Sequence, residues 1–564
     1  MFEVAERTPP EPVRVSPDGF FLLQTVYMLD GEQRVVIDRD THEVIASQLS
    51  RANSRFLQSA WSPTSDRIAM YVQGAGSQES LYQLVIWDIL ADTLVTLEGP
   101  GTSITTTPKW SPDGDHITHV VERREIPGER DLYVYDLSEP TSPWLVAKDL
   151  TLRGGIAWSP TGDSIAMVTR QDPGALSVYA DGNLTSTTQI ARDCADCEIV
   201  DLDWSADGKR LLVAFREDGG EWVRLVEVSL EGVLVHRFET PEGEVTVPRY
   251  LPEENGVAFT IRRGVLRQTY HCNNDERSCA RADPGESYSS SLFGGVSPRG
   301  DTLFTVRESP IAPPSLYAMN TADRSGVTAT QSAIQMDTAA AAINWLTVRS
   351  SDGLPVHAFH WEAKRPPGRS RKAIIAVYGG PGLFVPATWD HRRQFILESG
   401  IDILLVVYRG HRGFGAALEN APGGDAARLE DLVSIYRHVR EQIGVESDDI
   451  VLYGISQGAP IVALAAAREP TIRSVVLLSM TPARLPVPEP RTSVCAVLFQ
   501  GSEDEIMTPT QGKAELERIL GGAAVSEPCG HFKIFEGEPH IPNRPETMGE
   551  VAATLVTLLE DDNE

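Results

Sequence analysis

The sequence predicts a multidomain chain: an all-β, seven-bladed propeller followed by an α/β domain with a mostly parallel sheet flanked by helices. Three observations predict it. A turn-and-strand unit recurs seven times at near-constant spacing in the first part of the chain. The pattern then switches to buried strands alternating with helical runs. One of those strands turns directly into an apolar helix through Gly454-Ile455-Ser456-Gln457-Gly458. At 564 residues the chain also exceeds what one hydrophobic core holds.

The repeat is a variant of Trp-Ser-Pro-x-Gly. Val15-Ser16-Pro17-Asp18-Gly19 comes first, then Trp61-Ser62-Pro63, Trp110-Ser111-Pro112-Asp113-Gly114 and Trp158-Ser159-Pro160-Thr161-Gly162. Trp204-Ser205-Ala206-Asp207-Gly208, Leu251-Pro252-Glu253-Glu254-Asn255-Gly256 and Val296-Ser297-Pro298-Arg299-Gly300 complete it. The proline position advances by 46, 49, 48, 46, 46 and 46 residues. In each copy a tight turn leads into an alternating strand such as Arg67–Val72, and a second strand such as Gln83–Asp88 follows. Strands and turns at this period are the signature of four-stranded propeller blades. The tryptophans are expected to pack between blades rather than bind a ligand. The blades are expected over residues 15–330.

Residues 326 to 343 lack the repeat, and 331–344 is expected as a linker before a domain at 345–564. In that domain Lys372–Tyr378, Ile401–Tyr408, Ile450–Tyr453, Ser474–Leu478, Ser493–Phe499 and Phe532–Phe535 read as buried strands. Residues 425 to 443 read as an amphipathic helix with Leu429, Leu432, Val433, Tyr436, Val439 and Ile443 on one face. Strands alternating with helices imply a largely parallel sheet.

The Gly-x-Ser-x-Gly stretch marks the chemistry. A strand that turns straight into a helix needs small residues on both sides of the apex, and the apex side chain is strained and exposed. The helix start, with Pro460 in its first turn, offers unpaired N–H groups to developing negative charge. Ser456 is therefore the candidate nucleophile. Such a serine needs a base in reach and an acid to orient it, in the chain order Ser, Asp or Glu, His. Gly501-Ser502-Glu503-Asp504 follows one strand and Gly537-Glu538-Pro539-His540 follows the last. Asp504 is the expected acid, with Glu503 and Glu505 as neighbours that compete for the assignment. His540 is the expected base; its rival His531 stands at the wrong end of the last strand. His411, in the loop after the second strand, is expected to be a solvated surface histidine.

Composition bounds the rest. Hydrophobic residues make up 41% and charged residues 23%, ordinary for a globular protein. No apolar run reaches the roughly 18 residues of a membrane span, and no signal peptide is visible. A cytoplasmic location is expected. The formal charge is −29. From Trp345 onward 21 Lys+Arg face 29 Asp+Glu, a net of −8, so −21 lies before it. That argues against a nucleic acid or an anionic membrane as partner. Solubility explains it; attraction of cationic peptides is the sharper alternative.

Six cysteines stand in local pairs: Cys194 with Cys197, Cys272 with Cys279, and Cys495 with Cys529. Paired cysteines suggest disulfides, and with them a periplasmic or secreted location instead. Six free thiols are the competing expectation. A zinc site from the first four plus His271 matches no standard finger spacing.

A propeller feeding an α/β-hydrolase domain resembles the prolyl oligopeptidase family of serine peptidases. The matching pieces are Tyr378-Gly379-Gly380-Pro381-Gly382, Tyr408-Arg409-Gly410-His411-Arg412-Gly413-Phe414-Gly415, the elbow at 454–458, Gly501 to Asp504, and His540. Length and the Tyr-Arg-Gly segment point within that family to acylaminoacyl peptidases. The resemblance implies that Tyr378 donates its hydroxyl to the oxyanion beside the N–H of Gln457, and that the substrate is a short peptide or acyl-peptide. Three departures stand out. Gly458-Ala459 replaces the usual Gly-Gly, and no paired-Glu stretch for free N-termini is present. The family's long S1-forming segment is reduced to the Pro-rich run Met480 to Thr492.

The leading functional reading is a serine peptidase acting through an acyl-enzyme. The alternatives are a carboxylic esterase on the same triad and a non-catalytic propeller scaffold. None calls for a metal or cofactor. Gly410, Gly413 and Gly415 do not form a dinucleotide fingerprint.

Overall fold

The computed structural model describes residues 13–28, 31–50, 55–73, 82–97, 107–122, 129–150, 155–169, 172–180, 183–189, 198–217, 219–273, 279–283, 290–330, 340–380, 382–487, 494–521, 530–542 and 544–560. The chain divides into two compact units, Met1–Ser309 with Pro314–Ala333, and Pro310–Pro313 with Ile334–Glu564. Among the described residues no helix is long and apolar enough to cross a membrane.

The first unit is a seven-bladed propeller. Six blades are four-stranded antiparallel sheets of consecutive strands. In the third, three strands are described and Trp110 bridges to Ile117 at the inner edge. Each feature of the repeat has a structural job. The turn glycines Gly19, Gly114, Gly162, Gly208 and Gly300 all have φ between 69° and 80°, a region that costs a side-chain-bearing residue energy. In the second copy Ser65 takes that slot at φ 62°. The repeat serine closes the turn: Ser16, Ser62, Ser111, Ser159, Ser205 and Ser297 each accept the N–H five residues on, at 2.9–3.1 Å.

The repeat tryptophan joins neighbouring blades. The indole N–H of Trp61, Trp110, Trp158 and Trp204 donates to the carbonyl of Arg14, Ala60, Lys109 and Ala157 respectively, at 3.0–3.3 Å. Each acceptor belongs to the preceding blade. Where the repeat loses its tryptophan, other polar links take over. Asp201 and Asp203 accept the Val247 and Tyr250 N–H groups across the next boundary, and Thr269 bonds Ser291 across the one after it. The ring closes by packing, with Val15 and Leu22 against Leu292, Phe304, Val306 and Leu316. Seven apolar seams, most of them also joined by hydrogen bonds between blades, replace a single central core.

The second unit carries an eight-stranded sheet, numbered here on its own: β1 Ala340–Arg349, β2 Pro355–Ala363, β3 Lys372–Val377, β4 Ile401–Val407, β5 Ile450–Ile455, β6 Ser474–Leu478, β7 Cys495–Gly501 and β8 His531–Phe535. The order is β1-β2-β4-β3-β5-β6-β7-β8, with β1–β2 and β2–β4 antiparallel and every other pair parallel. The helices are α1 His391–Glu398, α2 Ala416–Glu419, α3 Gly424–His438, α4 Gly458–Arg468, α5 Pro509–Leu520 and α6 Pro545–Thr557. The crossover from β3 to β4 runs one way along the sheet, and those from β4 to β5, β5 to β6 and β7 to β8 run the other. Right-handed crossovers therefore put α1 on one face and α3, α4 and α5 on the other. Accordingly α4 packs against α3 and α5, and α1 against α6. β4 and β5 are buried along their whole length, which explains their apolar sequence; the one charged residue, Asp402 of β4, is paired with His360 and Arg365.

Several sequence expectations change in detail. The first strand starts at Ala340, inside the stretch 331–344 expected as linker; the run Ala340-Ala341-Ala342 hides the alternation that pairing with β2 imposes. Gly326–Thr330, counted among residues without the repeat, forms the outer strand of the seventh blade. The expected helix 425–443 is α3 followed by a π-helical turn, Val439–Ile443. Cys272 and Cys279 form a disulfide, so their sulfurs are not thiolates for zinc, and His271 bonds the Asn255 carbonyl. Cys194, Cys197 and Cys529 lie outside the described residues.

Candidate active site

The elbow follows from packing that leaves no room for side chains. A Cβ on Gly454 would lie 2.8 Å from the Ala459 Cα, and one on Gly458 would lie 2.3 Å from the Val377 carbonyl oxygen. Ser456 sits between them at φ 53°, a strained value for a non-glycine residue. Its N–H donates to Leu478 O at 2.9 Å, and its own carbonyl accepts the Ala459 N–H at 2.9 Å. The apex is thus pinned on both sides while Oγ remains free to react.

The structure brings Ser456, His540 and Asp504 together from three loops at strand carboxyl ends. Ser456 Oγ lies 2.8 Å from His540 Nε2. His540 Nδ1 lies 2.8 Å and 3.0 Å from the two Asp504 carboxylate oxygens. The carboxylate requires Nδ1 to carry the proton, which leaves Nε2 to accept from Ser456 Oγ–H. His540 is 1% exposed. The close approach of its loop needs Gly501, where a Cβ would lie 2.2 Å from the Glu538 carbonyl oxygen. Asp504 Oδ1 also accepts the Ile506 and Met507 N–H groups at 2.9 and 3.1 Å.

The competing residues are accounted for. Glu505 accepts the His540 backbone N–H at 3.3 Å rather than its ring, and the Glu503 N–H donates to the Glu538 carbonyl. His531 begins β8 and meets the Phe499 ring edge-on at 5.9 Å. His411 departs from expectation. It is 1% exposed, not solvated. Its Nδ1 pairs with the Tyr408 carbonyl at 3.0 Å, and burial pulls its pKa down to about 4. A loop histidine next to three glycines reads as surface in sequence, and the fold of the loop over its ring is what sequence does not reveal.

Tyr378 follows β3 and is half-buried. A Cβ on the next residue, Gly379, would lie 2.6 Å from the Gln457 nitrogen. The Tyr378 strand end therefore lies directly on the peptide that carries the Gln457 N–H. Burial, with Tyr378 close by, raises the pKa of Tyr453, so these two phenols share one corner. Pro381 lies outside the described residues. The Gln457 side chain donates to Asp425 at 3.3 Å, and Asp425 is also held by Arg428.

Three supporting residues carried no role in the sequence reading. The Tyr408 hydroxyl donates to the Tyr378 carbonyl at 2.8 Å. The loop behind it is fixed by Arg409, whose guanidinium binds both Asp431 oxygens at 2.7 and 2.8 Å. Gln500 contacts Asp504 itself, at 2.6 Å. Its signal was a carboxamide at the end of an apolar strand, four residues before the acid.

No family model matches the chain. Over 91 residues, 16% of this chain and 12% of that enzyme, it is 28% identical to acylamino-acid-releasing enzyme 1 of Oryza sativa subsp. japonica. Over 146 residues, 23% of this chain and 19% of that enzyme, it is 26% identical to acylamino-acid-releasing enzyme 2 of the same plant. The chain thus spans less than a fifth of the length of the curated relatives it matches. Among solved structures, prolyl endopeptidases superpose with a TM-score of 0.77 at 14% identity, covering 98% of this chain and 88% of that chain. Puromycin hydrolase gives 0.76 at 17% identity, covering 98% and 95%. Oligopeptidase B from Leishmania major gives 0.73 at 10% identity, covering 98% and 86%. The chain therefore has the two-part fold of these proteins, propeller and α/β sheet together.

Proposed function

We propose that the chain is a serine hydrolase of the prolyl oligopeptidase type, which cleaves short peptides or acyl-peptides through an acyl-enzyme. The observation that carries the reading is the unbroken line from Ser456 Oγ to His540 Nε2 at 2.8 Å and from His540 Nδ1 to Asp504 at 2.8 Å. In this reading Ser456 attacks the substrate carbonyl as His540 takes its proton. Asp504 holds the imidazole and stabilises the imidazolium. The Tyr378 hydroxyl and the Gln457 N–H receive the oxyanion. His540 then returns the proton to the leaving group, and water repeats the sequence to free the acid. No metal or cofactor enters any step. The shared fold and the short matches to acylamino-acid-releasing enzymes support the choice of peptidase chemistry.

A second reading, a carboxylic esterase on the same triad, is favoured by one feature. Met480 to Val487, after β6, contains no helix or strand, and an S1 pocket with few walls accepts acyl groups broadly. The test compares N-acylated peptide anilides and puromycin with short-chain aryl esters, for the native chain and Ser456→Ala. Anilide turnover that disappears in the variant is the expected result. Ester turnover alone selects the second reading, and activity independent of Ser456 overturns both.

A further inference from the structure

We propose that Gln500 is a positioning residue, fixing the triad carboxylate and the segment after β6 with a single carboxamide. The proposal rests on the triad assignment above. Gln500 is fully buried near the end of β7, after the apolar run Ala496-Val497-Leu498-Phe499. A carboxamide in such a place is costly unless its polar atoms are hydrogen-bonded, and here both are. Nε2 donates to Asp504 Oδ2 at 2.6 Å and to the Met507 carbonyl at 2.9 Å, with the Met480 carbonyl at 3.5 Å. Oε1 accepts the Met480 N–H at 2.8 Å.

One amide therefore grips two functional pieces. On one side is Asp504. A donor on Oδ2 holds the carboxylate plane in place and spreads its charge, so that it orients His540 without over-stabilising the imidazolium. On the other side is Met480, the first residue of the short run to which the family's S1-forming segment is reduced. That run is held further along by the Ala483 N–H, which donates to Glu515 of α5 at 2.8 Å. Thr481 Oγ1 reaches the Ser456 carbonyl at 3.5 Å. α5 keeps the amide in place: a Cβ on Gly512 would lie 2.9 Å from Gln500 Oε1. The segment after β6 and the acid behind the base thus share one anchor. The other carboxylates at this corner have partners other than Gln500: Glu505 accepts the His540 N–H, and Glu538 accepts the Arg544 N–H and Thr547 Oγ1–H.

Two variants separate the two grips. Gln500→Met removes both. Gln500→Glu keeps an acceptor for the Met480 N–H but loses both N–H donors and puts a second carboxyl against Asp504. The readouts are the rate of Ser456 labelling by a fluorophosphonate across its acid limb, and kcat and KM with an aryl ester. Both variants are expected to label about tenfold more slowly near the acid limb, which moves to higher pH because the less-satisfied carboxylate holds the imidazolium more tightly. KM is expected to rise in the Met variant and to stay near native in the Glu variant. If the Met variant does not fold, the near-isosteric Glu variant decides. Variants that label at the native rate with an unmoved acid limb overturn the inference alone. A native chain that does not label at Ser456 overturns the triad assignment and this inference with it.

Discussion

The Tyr408 hydroxyl donates to the carbonyl of Tyr378 at 2.8 Å, so the residue that opens the Tyr-Arg-Gly loop holds the backbone of the proposed oxyanion tyrosine. Burial raises the pKa of Tyr408 and keeps it in the donating form. Arg409 grips Asp431 through Nε and Nη2, and Ser350 donates to the same carboxylate at 2.5 Å. That network fixes the loop from which Tyr408 reaches. Tyr408→Phe is expected to lower kcat about fivefold to tenfold with little change in KM, the size of one lost hydrogen bond expressed in the transition state. Tyr378→Phe, which removes a donor from the oxyanion itself, is expected to cost about 10²–10³ in kcat. Steady-state kinetics on one substrate rank the two. Equal losses would show that Tyr408 does more than hold Tyr378.

Gly379 lies against the nucleophile elbow on three sides. A Cβ there would stand 2.6 Å from the Gln457 nitrogen and 2.8 Å from both the Ile455 oxygen and the Ser456 Cβ. Two of these neighbours are backbone, so neither can swing away. Gly379→Ala is expected to separate the Tyr378 strand end from the Gln457 N–H and to reduce kcat/KM about a hundredfold, since misplacement near 1 Å costs that much. Gly380→Ala is the control: its added carbon would meet only the flexible Leu383 side chain, at 3.3 Å, although its φ of 78° still carries strain. If Gly379→Ala loses no more activity than this control, contact with the elbow is not what positions the Tyr378 strand end.

What was legible in the sequence divides by range. The propeller was legible because its devices are local: the serine closes a turn five residues long, and the glycine supplies that turn's left-handed residue. The parallel strands were legible because burial on both faces makes them continuous apolar runs, as in Ala373–Val377. The grouping of Ser456, Asp504 and His540 was legible because each stands in a loop after an apolar strand, with Gly454, Gly501 or Gly537 two or three residues before it. Gln500, Tyr408 and the burial of His411 were not. Each depends on a contact with a residue distant in sequence or on how a loop folds over itself, and neither leaves periodicity. Ala340 was missed because alanine marks neither face of a strand.

His411 is buried, and its pKa is drawn down to about 4 from 6.5 by that burial. The sign follows from linkage. As pH falls from 6.5, the unfolded chain takes up a proton at this position while the folded chain does not until about 4, so stability falls across that window and levels off below it. The loss is up to about 3 kcal/mol. His357, also lowered to about 4 by burial, titrates in the same window. His411→Gln cannot titrate and keeps an N–H for the Tyr408 carbonyl. Its melting temperature is expected to fall less steeply than the native one between pH 6.5 and 4. Parallel slopes would mean that water reaches His411 in the folded chain.

Trp204 tests the blade-to-blade stitching most cleanly. It is buried in the cluster formed by Ala157, Ala166, Leu202 and Val213, and its indole N–H donates to Ala157 O at 3.1 Å. Trp204→Phe keeps an aromatic ring but removes the donor and leaves a buried carbonyl without it. The expected cost is about 1–3 kcal/mol for the unsatisfied group, plus the smaller ring's lost packing. Trp158→Phe breaks the equivalent bond to Lys109, yet Trp158 is only half-buried, so water can replace the donor. Its cost is expected to be smaller, although the sequence change is the same. Denaturant melts of the two variants measure the difference. A larger loss at Trp158 would mean that ring packing, and not the buried hydrogen bond, joins the blades.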